Sequence, residues 1–468
     1  MITIKTKSKA LMGDLHTPME IYLKLRDEFR DTILLESTEH NAAEGSFSFI
    51  AVNAIAGIEV TDHTSYEIKL PNEASKKKTL DADADLIKIL ENFAQQFSCQ
   101  PTEHPIETMA QGFFGYTAYE AIPFFESIHF KPQSPETQIP ILRYRLYQYI
   151  IAFNHKNDEM RIIENTFSGL PSEVRRLQDV IQYKTMVVYP FDTTSEETSN
   201  LSDEAFLDQV KIAQQHTKRG DVFQLVLSRR FQQEYRGDEF QVYRALRNIN
   251  PSPYLFFFDY GDYKLMGSSP ESQLIIQNQE AKIHPIAGTF KRTGNLSQDW
   301  AAAERLKADP KENAEHTMLV DLARNDLSKL GKNISVTKLK DIHFFSSVIH
   351  MVSEVTAEVD AQVSPYQMIA STFPQGTLSG APKYKAMELI DRYEPTSRGY
   401  YGGCIGFVGL DGSCNQAIMI RTFLAKDNHL YYQAGAGIVA LSEPQLELQE
   451  VNNKLNALKQ AIKKAKTL

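Results

Sequence analysis

No stretch of this chain comes near the roughly 18 consecutive apolar residues that a helical bilayer span requires; even Tyr147 to Phe153 is interrupted by Gln148. A membrane-spanning helix is therefore not expected. Cysteine is scarce, and Cys99, Cys404 and Cys414 form neither a C-x-x-C pair nor a zinc spacing. Their odd number fits a reducing compartment, with all three as packing residues. Basic charge is outweighed: 50 Lys plus Arg against 59 Asp plus Glu leave −9, and no basic run exceeds Lys76 to Lys78. The electrostatic footprint of a nucleic-acid binder is missing. Glycine and proline are dispersed, without low-complexity tracts or a repeat period of twenty to fifty residues, which argues against solenoids and propellers. Met1 to Ala10 carries Lys5, Lys7 and Lys9 but no apolar segment follows, so it does not read as a secretory signal and the expected location is the cytoplasm.

What is present is a composition suited to packed globular structure, 42% hydrophobic and 23% charged. The clearest break is Asp192 to Ser202, a Thr/Ser/Glu/Asn cluster without apolar periodicity, read as a linker or long surface loop. It divides an N-terminal region, 1–190, from a second region, 202–460. In the first, Ile33 to Leu35, Phe47 to Val60 and Gln148 to Phe153 read as strands, while Pro18 to Phe29 and Asp83 to Phe97 read as helices. In the second, Ser202 and Asp203 cap a helix that Gly220 stops. Alternation from Val222 to Phe231 then sets Phe223, Leu225 and Leu227 on one strand face and Gln224 on the other. Gly403 to Leu410, Asp411-Gly412 and Asn415 to Phe423 read as a β-hairpin. The expected fold class is α+β, antiparallel sheet covered by helices.

Two helices share one carboxylate layout. Asp309-Pro310 supplies an N-cap and a first-turn proline for a helix to about Leu327, with Glu312, Glu315, Leu319 and Leu322 along one face. Glu443-Pro444 opens another, carrying Glu447 and Glu450 ahead of Val451, Leu455 and Leu458. Acids in first turns also simply complement the helix dipole, the commoner use for either helix taken alone. Two matching pairs favour a hard cation such as Mg²⁺, which takes carboxylate, water and substrate oxygens.

Other candidates are individually ambiguous. The loop Phe373 to Lys383 offers backbone N–H groups for an anion or is a plain helix entry. Arg421 is a carboxylate clamp or a surface ion-pair partner. Gly435 and Gly437 permit close backbone approach. His350 is a base at neutral pH or a satisfied core histidine, and Glu271 a general acid or an exposed carboxylate after a turn. Lys454 to Lys466 reads as the solvated face of a surface helix.

Taken together, Lys218 to Gln224, Asn250 to Tyr254, Gly267 to Glu271, Pro285 to Thr289, Glu312 to Asp326, His350 to Ser353, Gly376 to Lys383, Tyr401 to Gly403, Arg421-Thr422 and Gln433 to Glu450 resemble the chorismate-utilising enzymes. Within these they are most similar to the anthranilate synthase component I (large-subunit) family. The resemblance is dense from about 202 to 458 and thinner before. It implies a large sandwich of antiparallel sheets with helices. It also implies Mg²⁺ on Glu315 and Glu450, supported by Glu312 and Glu447 and holding one carboxylate of chorismate. Arg421, Tyr401 and the backbone at Gly435 and Gly437 would bind the pyruvyl carboxylate. Thr289, His350 and Thr377 would line the ring pocket, and Glu271 would protonate the departing C4 hydroxyl while ammonia adds at C2. Water-adding members have a lysine where this chain has Gln224, and many aminodeoxychorismate synthases have a nucleophilic lysine where it has Ala287. Some of the latter enzymes carry alanine, so aminodeoxychorismate synthase stands as the alternative, and a non-catalytic ligand-binding regulator as the alternative from another class. Phe290-Lys291-Arg292 departs from the family's more usual Arg-Pro-Arg. No cysteine here has a nucleophile-elbow context, so glutamine use would need a separate glutaminase subunit. Finally, Glu36 and Ser37 with Asn250, Pro253 and Tyr254 are similar to the family's tryptophan inhibitor pocket, Glu36 facing the ligand ammonium; without the resemblance the same residues read as an ordinary strand end and a Pro-Ser-Pro turn.

Overall fold

Period-two alternation decides the layering. In Thr32–Glu36, Phe47–Asp62 and Leu142–Asn154, Leu34, Ile50 and Ile151 point into one apolar core while their neighbours Ile33, Ala51 and Ile150 point into another. The computed structural model, which describes all residues except 38–46, 82–83 and 346–347, and Thr289 and Lys291 by backbone only, resolves this into two antiparallel sheets. One runs from Ile2–Met12 through Glu159–Thr166, Leu142–Asn154, Phe47–Asp62, Thr32–Glu36, Tyr254–Asp259, Tyr263–Ser269, Thr422–Lys426 and His429–Ile438 to Gln224–Gly237. The other leaves Leu142–Asn154 through Gly112–Thr117, Cys404–Gly409, Cys414–Ile418, Ser272–Gln277 and Glu280–Ile283 to Val348–Glu358, which Ile286–Lys291 and Lys332–Phe344 flank. The long pair Phe47–Asp62 and Leu142–Asn154 serves both, bending where the register slips between Ala54 and Ala56 beside the positive φ of Asn53.

The aromatic residues Phe114, Tyr116, Tyr147, Phe256 and Phe258 fill the space between the sheets. Helices cover the outer faces: Asp203–Arg219, Phe240–Ile249 and Pro444–Ala465 pack on the first, and Leu86–Ala94, Pro310–Ser328 and Pro365–Thr372 on the second. The expected α+β sandwich is what forms.

Several expected elements differ. The helix expected over 18–29 stops at Leu25. The one expected over 83–97 is Leu86–Ala94, because the Asp85 side chain accepts from the Lys88 N–H and Phe97 already belongs to the strand Phe97–Cys99; Asp83 lies outside the described residues. The stretch Asp192 to Ser202, read as linker, contains Thr198–Ser199 and follows on Phe191–Thr193, both paired with Gln224–Gly237. Polar composition conceals such pairing, since an edge segment gains its hydrogen bonds from the backbone alone. Phe223 precedes its strand rather than lying in it, and is exposed, while Val222, Leu225 and Leu227 enter the core.

Candidate active site

Asp309 caps the helix Pro310–Ser328 by accepting from the N–H groups of Lys311 and Glu312, so its first turn is fixed with Glu312 and Glu315 on one side. The helix Pro444–Ala465 begins at the expected proline and carries Glu447 and Glu450 in its first two turns. The two helix starts face each other across the strand ends. Burial raises the Glu315 carboxyl above the usual range, and the charge of Glu450 on the other helix raises it further. Glu312 is raised by burial and then by Glu315, and Glu447 by burial and by Glu450, against a hydrogen bond from Ser442. Glu447 Oε2 is buried without a hydrogen-bond partner among the described residues. Like charges in partial burial ask for a cation. Among the described residues no three acidic, histidine or cysteine side chains close into a ready-made cage. Carboxylate oxygens of this kind fit a hard cation, which keeps waters and substrate oxygens in its shell.

The wall beside the glutamates is the start of Gln224–Gly237. Gln224 is buried, and its Nε2 donates to Glu315 Oε1 at 3.2 Å. It lies against Gly437 in the neighbouring strand, where a Cβ would come within 2.2 Å of that nitrogen. Gly380, at φ +127, lets the short segment Gly380–Ala381 pair with Gln224 and Leu225; a Cβ there would meet the Gln224 carbonyl at 2.1 Å. The loop before it forms one helical turn, Gly376–Ser379, whose Gly376 and Gly380 N–H groups are bonded to Gln375 Oε1 and the Gly376 carbonyl. Its Thr377 hydroxyl instead donates to Glu271 Oε1 at 3.3 Å.

Glu271 is not exposed. It sits between Tyr263–Ser269 and Ser272–Gln277 with 6% of its surface accessible. Burial pushes its carboxyl up to about 8, against the Thr377 bond and the positive charges of Lys454 and Arg421. At neutral pH it therefore holds a proton.

Arg421 does not end a hairpin strand as expected. The hairpin is Cys404–Gly409 and Cys414–Ile418; the chain then turns at Arg421, φ +48, before Thr422–Lys426 joins the other sheet. Crossing between sheets forces that bend. Arg421 reaches Asn250 Oδ1 at 3.5 Å and forms no ion pair among the described residues. Burial lowers its affinity for the proton, with Glu271 acting the other way. A half-buried guanidinium with no ion pair among the described residues is free to bind an anion.

His350, in Val348–Glu358, holds the Gly288 carbonyl with Nδ1 at 2.8 Å. Burial drives its pKa down to about 4, the Gly288 bond notwithstanding, so it is a neutral ring that donates from Nδ1 rather than a base poised at neutral pH. Thr289 lies opposite it in the backbone ladder; the Thr289 side chain lies outside the described residues. Tyr401 is buried, and burial raises its hydroxyl above its ordinary value.

Lys454 is a site residue that the sequence did not reveal. The residue is exposed, as the solvated-face reading expects, yet its Nζ donates to the Gly435 carbonyl at 2.9 Å and pairs with Glu450 Oε1 at 2.7 Å. Burial opposes its charge, but Glu450 and Glu315 leave its pKa raised. Arg292, in the divergent tripeptide, pairs with Asp299 at 2.9 Å and donates to the Phe345 carbonyl, away from the glutamates.

The residues expected for the second site lie near one another in the sheet. Register places Glu36 opposite Leu255, next to Tyr254, and Ser37 follows at the strand end. Asn250 ends the helix Phe240–Ile249 and donates from Nδ2 to Ser268 Oγ at 3.3 Å; Pro253 and Tyr254 remain partly exposed. Glu36, however, already has partners: Arg247 Nε lies 3.1 and 3.0 Å from its two oxygens, and Tyr243 Oη donates at 2.8 Å. Burial raises the Glu36 carboxyl, which these partners oppose. An unpaired carboxylate at that depth would be costly, and Arg247, seven residues from Tyr254 in sequence, gave no separate signal.

The chain belongs to the chorismate binding enzyme family, whose profile matches residues 41–460. Within it, anthranilate synthase component 1 of Geobacillus stearothermophilus is 33% identical over 98% of this chain and 94% of its own length. The Aquifex aeolicus protein of the same name is 35% identical over 97% and 93%. The crystal structure of anthranilate synthase component I from Streptococcus pneumoniae superposes with a TM-score of 0.76 at 30% identity, covering 96% of this chain and 98% of that one.

Proposed function

We propose that the protein is the component I subunit of an anthranilate synthase, converting chorismate and ammonia to anthranilate and pyruvate. The observation that carries this reading is the convergence, on one group of strand ends, of two glutamate-bearing helices, a buried proton-holding Glu271 and a half-buried Arg421 without an ion-pair partner among the described residues. A dianionic substrate needs a counter-charge at each carboxylate, and these are separate. The metal ligands are Glu315 and Glu450, with Glu312 and Glu447 behind them. When bound, Mg²⁺ supplies positive charge to one substrate carboxylate. Arg421, Tyr401 and the backbone at Gly435 and Gly437 take the pyruvyl carboxylate, and Thr289, His350 and Thr377 line the ring. Glu271, directed by the Thr377 hydroxyl, protonates the C4 hydroxyl as it departs. Ammonia adds at C2, and elimination of pyruvate yields the aromatic amine. Gln224 stands where a water-activating base would otherwise be, so its amide favours amination over hydration. Chorismate consumption that requires both ammonium and a divalent cation is the test; turnover without either contradicts it.

Gly437→Ala should lower kcat/KM about tenfold, because its methyl displaces the Gln224 amide from Glu315 and overpacking of this kind costs roughly 1–3 kcal/mol. Steady-state kinetics with ammonium check it.

Residues 202–460 carry the reaction, and 1–190 contribute to a regulatory pocket. Tryptophan binding there, between Glu36–Ser37 and Asn250, Pro253 and Tyr254, inhibits the enzyme. The neighbouring Tyr254–Asp259 strand continues to Tyr263–Ser269 and the Arg421 bend, a packed route between the two sites. Reciprocity requires that chorismate weaken tryptophan by the factor with which tryptophan weakens chorismate. Ser37→Phe should fill the pocket and raise the inhibitory concentration at least about tenfold with uninhibited turnover nearly intact, a shift of about 1.4 kcal/mol. Unchanged sensitivity would place the pocket elsewhere.

Glutamine serves as nitrogen source only with a separate glutaminase subunit. Cys404 and Cys414 are buried, with thiols that burial raises far from the thiolate, and Cys99 is pushed up to about 11. Purified alone, the chain should show no glutamine-dependent turnover by pyruvate release; such turnover would refute the division of labour.

A further inference from the structure

Behind the wall formed by Gln224, Thr377 and Tyr401 lies Arg398, 2% exposed and unused by the chemistry above. All three nitrogens of its fork are engaged. Nη1 donates to the Leu378 carbonyl at 2.6 Å and Nη2 to the Val226 carbonyl at 2.9 Å. Nε and Nη2 also donate to the two oxygens of Glu394, at 3.0 and 2.7 Å. Glu394 in turn accepts from the Ser228 N–H and hydroxyl at 2.9 and 2.7 Å. The guanidinium carbon stands 4.9 Å from the Tyr119 ring centre and 5.6 Å from that of Tyr401, whose N–H donates to the Arg398 carbonyl.

Each arm ends next to a candidate site residue. Leu378 follows Thr377, the donor to Glu271; Val226 is two residues beyond Gln224 in the strand; Tyr401 lies under the guanidinium itself. A buried ion pair is seldom more stabilising than an apolar pair of the same size, so stability alone gives little reason for one here. Geometry gives a better one. Only a planar fork bonds two carbonyls and a carboxylate at once; a lysine ammonium reaches fewer of them. The Tyr119 ring, itself stacked on Phe130 at 5.6 Å, backs the guanidinium.

We propose that Arg398 is a positioning residue of the chorismate site, its fork holding the Thr377 turn, the Gln224 strand and Tyr401 in the mutual register that turnover requires. The inference rests on the reading of this cleft as a chorismate site. Displacing catalytic groups by about 1 Å can cost on the order of 10²-fold in rate, whereas losing one buried fork elsewhere should cost stability only.

The test compares Arg398→Lys with Arg26→Lys, assayed with chorismate, ammonium and Mg²⁺ well below both melting temperatures. Arg26 holds Asp238 through Nη1 and Nη2 at 3.0 and 2.7 Å, a comparable part-buried fork that touches no candidate site residue. Arg398→Lys should lower kcat at least about tenfold, and Arg26→Lys by less than about twofold. Because Arg398 acts partly through the Thr377 turn, its effect should shrink in a Thr377→Val background instead of multiplying with it. Wild-type kcat in Arg398→Lys, fully multiplicative losses, or an equal loss in Arg26→Lys would overturn the proposal. Should Arg398→Lys fail to fold, Tyr119→Leu removes only the aromatic backing and must lower kcat where Tyr119→Phe does not; equal kcat in both would overturn it. A wild-type protein inert toward chorismate would instead refute the reading of the site itself.

Discussion

Glu271→Gln should lower kcat with chorismate and ammonium by about 10²–10⁴-fold, the usual worth of a positioned general acid, while the protein melts near the wild-type temperature. The amide is nearly isosteric with a protonated carboxyl and keeps an acceptor for the Thr377 hydroxyl, so the fold has little reason to respond. The sign of the pH dependence follows from burial, which holds this carboxyl up to about 8. Below that pH the group carries the proton that the leaving hydroxyl needs; above it the proton is gone. At constant free ammonia, kcat/KM should fall as pH rises through about 8, and the limb should be absent from the residual activity of the variant. Full activity, or an unaltered limb, would remove Glu271 from the acid's role.

Glu315→Gln should affect the protein in opposite directions with and without metal. In the metal-free state Glu315 is held above its usual range by burial and by Glu450, so removing its charge relieves repulsion and should raise the melting temperature slightly. Mg²⁺ stabilises whatever state binds it, by mass action. Saturating Mg²⁺ should therefore raise the wild-type melting temperature and leave that of Glu315→Gln nearly unchanged, with calorimetric affinity for Mg²⁺ reduced at least about 10–100-fold. Glu450→Gln should show the same loss of metal response. Its pairing with Lys454 is half-exposed, so it contributes little to stability itself. Equal Mg²⁺ stabilisation in the wild type and both variants would mean that these carboxylates are not the metal ligands.

The glutamate helices were legible because every determinant is local: the Asp309 cap, the prolines at 310 and 444, and three-residue spacing that fixes a face. Gln224 was legible for a similar reason, strand alternation. Phe223, one residue earlier, was not, since the strand starts after it and periodicity does not mark its own end. The bend at Arg421 escaped because an apolar run continues through it, and only the change of sheet demands a positive φ there. Lys454 sits in a lysine-rich amphipathic helix that reads as solvated. Its partner, the Gly435 carbonyl, is a backbone atom brought near by the fold, and no side-chain pattern announces it. Arg247 was hidden in the same way, satisfied by Glu36 far away in sequence; Arg398 pairs with Glu394 four residues earlier, but its carbonyl partners at Leu378 and Val226 are distant. Residue types and spacing thus exposed the chemistry, whereas Arg247, the cation that balances the buried Glu36, emerged only from tertiary structure.

The most direct measurement is the identity of the product formed by the purified chain from chorismate, ammonium and Mg²⁺, resolved chromatographically against authentic standards. The expected result is anthranilate with one equivalent of pyruvate, both abolished by a chelator. Accumulation of 4-aminodeoxychorismate without pyruvate, or of isochorismate, would contradict it.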